Sequence, residues 1–141
     1  MSNDLFTGKW NGQYTLGDTY SEDMKGISRP FSIDMTYLDG IISGTCVDEG
    51  IENIFTEPAT INGFIEDNFI SFIKKYPCHW ETDDKGNIRK DLELPSLEIH
   101  YSGQFDQNMF RGNWEMEMLF KDDNGYDFEY VFTGTWTMLR S

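Results

Sequence analysis

Lys74 and Tyr76 lie two residues apart at the end of Phe69-Ile70-Ser71-Phe72-Ile73-Lys74-Lys75-Tyr76, a segment with the residue types of a β-strand. Side chains alternate between the faces of a strand, so Lys74 and Tyr76 share one face. If that face is the inner one, an ammonium and a phenol converge and can anchor a carboxylate or a phenolate. Further candidates stand near one end of other strand-like segments: Tyr14, Phe31, Cys46, Asp48, Met118 and Tyr130, with Trp80 from a long connection. Together they mix aromatic surface with a few polar groups, as small-molecule pockets do. The competing reading is that Lys74 is solvated and the aromatic residues simply fill a core.

Other chemistry has little to work with. The only histidines are His79 and His100, and His100 shares the outer face of its strand with Glu98 and Ser102. There is no Gly-x-Ser-x-Gly, phosphate loop or dinucleotide motif, so no catalytic residue and no cofactor are expected. Cys78-His79 lacks a second ligand pair, so no metal is expected. The acidic clusters Asp83-Asp84, Asp122-Asp123 and Asp127 lack the alternating acids of a calcium loop, and Asn124-Gly125 marks turn chemistry instead. Met1-Ser2-Asn3-Asp4-Leu5 is not a secretory signal. A cytoplasmic protein is the expectation, with Cys46 and Cys78 as free thiols rather than a disulfide. No stretch approaches the roughly 18 apolar residues of a membrane span. A net charge of −14 repels nucleic acid and anionic membrane surfaces, favours solubility, and biases any binding site toward neutral or cationic ligands.

The candidates need elements to hold them. Eight strand-like segments are predicted near residues 7–16, 29–38, 41–48, 58–65, 69–76, 97–105, 109–119 and 128–140. Between Tyr20 and Lys25 there is room for one or two helical turns. Three connections are tight: Asp39-Gly40, Glu66-Asp67-Asn68 and Asp106-Gln107-Asn108. The connections between them, 17–28, 49–57, 77–96 and 120–127, are longer. In an up-and-down meander alternate connections fall at opposite ends, so the short turns close one end and the long loops crown the other. Residues 77–96 form either a lid or a hairpin that projects beyond the rim.

A recurrent phrase orients the strands: Phe6-Thr7-Gly8-Lys9-Trp10, Phe110-Arg111-Gly112-Asn113-Trp114 and Phe132-Thr133-Gly134-Thr135-Trp136. Its spacing puts glycine and large rings on one face, which suits the inside of a closed barrel. The inward glycines are expected to leave space for a ligand, whereas the inward tryptophans, Phe and Met argue for a filled interior. Phe69-Ile70-Ser71-Phe72-Ile73 is apolar on both faces, so either a loop or a second copy of the chain is expected to cover its outer side. Arg140 falls on the inner face of the last strand. It is expected over the Trp10 indole, donating to nearby carbonyls, unless it is a frayed terminus.

Gly8-Lys9-Trp10 on the first strand, the eight-stranded meander and Arg140 on the last strand together resemble the calycin superfamily, which contains lipocalins, fatty-acid-binding proteins and avidins. Thr7-Gly8-Lys9-Trp10 and Ile42-Ser43-Gly44-Thr45-Cys46 are most similar to the first and third strands of avidins. The resemblance implies one calycin-like β-barrel domain spanning 1–141. It does not extend to a biotin site. Avidins follow the first tryptophan with an Asn and, a few residues on, a Ser that holds biotin; here Asn11-Gly12-Gln13-Tyr14 brings no such Ser, and Cys46 stands where they carry a binding tyrosine. The late tryptophan of the fifth strand is missing between Phe69 and Tyr76. Residues 17–28 are too few for the two helices of a fatty-acid-binding protein, and the C-terminal helix usual in lipocalins is missing.

The expectation is therefore an all-β, eight-stranded antiparallel up-and-down barrel that takes a small, largely apolar ligand at its open end, without catalysis. The alternatives are a packed-barrel interaction module, self-associating through the fifth strand, and an enzyme of calycin type.

Overall fold

The structure, a computed structural model, describes residues 6–48, 57–77, 79–82, 88–91, 97–121 and 123–140. Its strands are β1 (Gly8–Leu16), β2 (Ser28–Leu38), β3 (Ile41–Asp48), β4 (Ala59–Glu66), β5 (Phe69–Lys75), β6 (His79–Thr82), β7 (Ile88–Asp91), β8 (Ile99–Asp106), β9 (Met109–Lys121) and β10 (Asp127–Arg140). Eight of them close a barrel in the order β1-β10-β9-β8-β5-β4-β3-β2, and β6 pairs only with β7. Every pairing is antiparallel. The eight-stranded antiparallel up-and-down barrel expected from sequence is the fold. Residues 77–96 contain a hairpin of their own rather than strands of the barrel. Residues 22–26 form turns closed by Met24 N and Lys25 N, which donate to Ser21 O at 3.0 and 2.9 Å, so the single turn that Tyr20 to Lys25 allowed is present and no longer helix develops.

The tight turns share one end. Asp39 and Gly40 both have positive φ, as do Gln107 and Asn108, which is the geometry that matches the twist of two hairpin strands. Phe6 caps this end from inside. Its carbonyl accepts from Trp10 Nε1 at 2.9 Å, and its ring meets Tyr37, Phe105 and Phe110 at 5.2 to 5.8 Å. Trp10 pairs with Arg140 across β1 and β10, and the guanidinium lies 5.7 Å from the indole centroid while donating to the Thr7 carbonyl at 2.7 Å. The expected pairing is present, and Arg140 is not a frayed end. It differs in one respect: Arg140 remains exposed at the end of the barrel rather than buried.

Above this cap the interior is filled. Trp10, Trp136, Phe72, Phe110, Ile33, Met35, Ile42, Ile61, Ile70 and Met138 are all fully buried. The glycines do not leave ligand space, contrary to expectation. A Cβ on Gly12, Gly44, Gly63, Gly103, Gly112 or Gly134 would land on a carbonyl oxygen of the adjoining strand. The glycines mark places where neighbouring backbones approach so closely that the sheet can curl into a small barrel. Gly103 faces Gly112 directly, and Trp136 Nε1 donates beside them to both Ser102 O and Asn113 O at 3.1 Å.

The outer wall of β5 is not covered by a loop among the described residues. Phe69 stays exposed and lies tilted against exposed Phe64, their centroids 6.1 Å apart. Ile41 lies opposite Phe64 and Leu38 opposite Ile41, so an apolar strip crosses four strands.

Candidate functional site

Parity and register converge six of the candidate residues on the open half of the barrel. Lys74 is the inward residue after Phe72 on β5, and Asp48 is the last inward residue of β3. Strand alternation alone left Lys74 ambiguous, because β5 is apolar on both faces. The closed barrel resolves it: Lys74 is 1% exposed and Asp48 is 3% exposed. Lys74 Nζ donates to Asp48 Oδ1 at 2.6 Å. Tyr76 Oη donates to the other carboxylate oxygen, and the Cys46 thiol points at Oδ1 from 3.7 Å. Four rings surround the ammonium: Tyr76 at 4.9 Å, Tyr14 at 5.5 Å, Phe31 at 5.8 Å and Tyr101 at 5.9 Å from ring centroid to Nζ.

Cation, carboxylate and phenols account for the electrostatics. Burial by itself disfavours the Lys74 ammonium, but Cys46, Tyr101, Tyr76 and Asp48 outweigh it, and its pKa lies well above the ordinary lysine value. Cys46 is pushed up to about 12, chiefly by burial. Burial also raises Tyr14 to about 12 and raises Tyr76 and Tyr101, while Lys74 pulls all three the other way. Near neutral pH the thiol and the phenols are thus uncharged, and Asp48 is the side chain paired with the Lys74 ammonium.

These shifts have one sign. Each group holds its proton more tightly folded than unfolded, so each contributes stability below its unfolded pKa and loses it as pH rises toward the folded pKa. The unfolded chain releases the Cys46 proton near 9.0 and the Tyr14 and Tyr20 protons near 10.0, whereas the folded protein holds all three to about 12. The melting temperature is expected to be level from about pH 6 to 8 and to fall steeply above about pH 9. Phenolate absorbance from the buried tyrosines should rise in step with unfolding followed by circular dichroism. A smooth rise while the fold stays intact would contradict this origin of the shifts.

Two candidates fall elsewhere. β9 and β10 outrun their neighbours, since β8 begins against Met116 and β1 ends against Gly134. Met118 and Tyr130, which face each other, therefore lie on a two-stranded ribbon that projects past the rim. Parity still places them on the inner side, but no barrel remains for them to face. Tyr130 is exposed and donates to Thr19 O at 2.8 Å. Trp80 lies on β6, and its side chain, like Cys78, Asp83-Asp84 and Asp122, is outside the described residues. Cys46 is a free thiol.

Three residues belong to the site without having been singled out. Tyr101 faces inward from β8, stacked on Phe72 at 4.8 Å. Its parity was legible, because His100 points out. Trp114 sits edge-on to Tyr14 at 6.2 Å, and its buried Nε1 finds no hydrogen-bond partner among the described residues. Tyr20 covers Trp114 at 6.2 Å and Phe132 at 4.8 Å from the β1–β2 connection. Thr19 pins that connection to β10, its Oγ1 accepting from Thr133 N at 2.9 Å. Among the described residues no three of His, Cys, Asp and Glu gather as a metal site would require.

No protein-family model matches the chain, and no curated protein matches it in sequence. Among solved structures it is similar to rhizavidin, at 13% identity over 93% of this chain and 83% of that chain, with a TM-score of 0.45. It is also similar to a point mutant of the vaccine antigen transferrin-binding protein B from Haemophilus parasuis Hp5, at 20% identity over 93% of this chain and 25% of that chain, with a TM-score of 0.41.

Proposed function

We propose that the protein binds a small, largely apolar molecule at the open end of its barrel, with a polar head group received by Tyr14, Tyr76 and the Lys74–Asp48 pair. The observation that carries this reading is the buried ion pair. Taking two charges out of water costs several kcal/mol per ion, and a hydrophobic pair of similar volume usually stabilises as well or better. A small barrel has no structural need of such a pair where aromatic residues already fill its other half. An ammonium with few acceptors and phenols near the mouth suit a head group that accepts hydrogen bonds, such as a carboxylate or phenol. The closed half is packed, so the ligand's place is above the Tyr14 and Tyr76 rings.

Trp114 touches Tyr14 and Tyr20 and is the natural reporter. Its fluorescence is expected to shift saturably with at least one member of a panel of fatty acids, retinoids and haem. No response to any of them would count against the reading. The apolar strip of Leu38, Ile41, Phe64 and Phe69 favours a second reading, in which the chain also associates with a copy of itself through this wall. Sedimentation equilibrium is then expected to show a concentration-dependent mass, and a monomer at every concentration would contradict it.

A further inference from the structure

We propose that the inner half of the mouth is an ammonium-binding site that the native chain fills with its own Lys74. This stands on the surroundings of Lys74 alone. It does not depend on any ligand at the rim, and failure of the fluorescence panel leaves it untouched.

Lys74 Nζ meets the chemistry by which ammonium ions are recognised: aromatic faces for the cation and a carboxylate for the charge. Tyr76, Tyr14, Phe31 and Tyr101 all lie within 6 Å of it, and Asp48 Oδ1 is at 2.6 Å. A ring 4.9 to 5.9 Å from a cation attracts it through the quadrupole, and attraction is greatest where water is excluded, as it is here.

The cage does not depend on the lysine for its shape. Tyr14 and Phe31 stack on each other at 6.4 Å with their planes 21° apart. Phe31 meets Tyr101 edgewise at 6.5 Å, and Tyr101 is stacked on Phe72 at 4.8 Å. Trp114 packs edge-on against Tyr14 at 6.2 Å. Asp48 is fixed by Tyr76 as well as by Lys74. The walls brace one another and are backed by Phe72 and Trp114, so shortening Lys74 leaves a preorganised receptor rather than a collapsed core.

The atoms lost in Lys74→Ala correspond to n-propylammonium, and that ion is the ligand the vacated site should take. Half-saturation in the millimolar range is the reasonable scale for so few heavy atoms. The same occupancy gives a native rule: while Lys74 fills the cage, a cationic head group entering the mouth meets a filled site.

The test is thermal denaturation of Lys74→Ala with n-propylammonium chloride, 1-propanol, or sodium chloride at equal ionic strength. The expected result is a low melting temperature that n-propylammonium raises saturably and the other two do not. Wild type should show no such shift. Asp48→Asn combined with Lys74→Ala removes the unpaired buried charge, and this variant should fold but not respond. An equal rise with 1-propanol would overturn the proposal, because it would show an apolar hole and not an ammonium site. So would a folded Lys74→Ala that ignores n-propylammonium. If Lys74→Ala folds only when Asp48→Asn is added, n-propylammonium present during refolding must rescue the single variant, and failure to do so overturns the proposal equally.

Discussion

Lys74→Met is expected to cost about 3–5 kcal/mol, because it strands the Asp48 carboxylate in the barrel without a countercharge. Asp48→Leu should cost about as much, by stranding the ammonium among four rings. The two substitutions together should not add. With both charges gone and comparable volume restored, the double variant is expected within about 1 kcal/mol of wild type. The loss of the acceptor for Tyr76 Oη is a small remaining cost, since Tyr76 is only half-buried and reaches the mouth. Urea unfolding of the four proteins closes a double-mutant cycle. A coupling near zero would mean that the pair is not formed in solution. The double variant then becomes a tool, because it keeps the barrel and removes the polar site.

Gly112→Ala is expected to cost more than about 4 kcal/mol or to prevent folding. Its Cβ would fall on the Ser102 carbonyl oxygen and against the Gly103 Cα, and both are backbone atoms of the paired strand that cannot rotate away. Gly125→Ala is the control. Gly125 has a φ of 85° but nothing within 4 Å of its added Cβ, so only backbone strain opposes it, about 1 kcal/mol. Gly112→Ala with an effect as small as that of Gly125→Ala would contradict the close approach of β8 and β9. It would mean that these glycines line open space.

The contrast between these glycines shows where sequence reasoning stopped. The alternation of Phe110, Gly112 and Trp114 is enough to place all three inside. It cannot say whether the room beside a glycine is occupied by a ligand or by the next strand, because that depends on how tightly the barrel curls. The tight turns and the Trp10–Arg140 pairing were legible, since hairpin chemistry and antiparallel closure follow from local residue types and parity. The orientation of Lys74 was not, because Phe69 to Ile73 is apolar on both faces and closure decides which face is inside. Met118 and Tyr130 share the parity of Trp114 and Gly134, but the unequal lengths of β1, β8, β9 and β10 carry them beyond the barrel. Tyr20 left no local signal. It reaches Trp114 and Phe132 only because Thr19 bonds Thr133, more than a hundred residues away in sequence.

A site at the mouth, built on the Lys74–Asp48 pair, is tested most directly by native mass spectrometry. Wild type and the variant combining Lys74→Met with Asp48→Leu would be purified from the protein's own host and compared for bound small molecules. The expected result is a discrete added mass on wild type that is missing from the equally folded double variant. The same added mass on both proteins would show that the pair has no part in binding and would contradict the account.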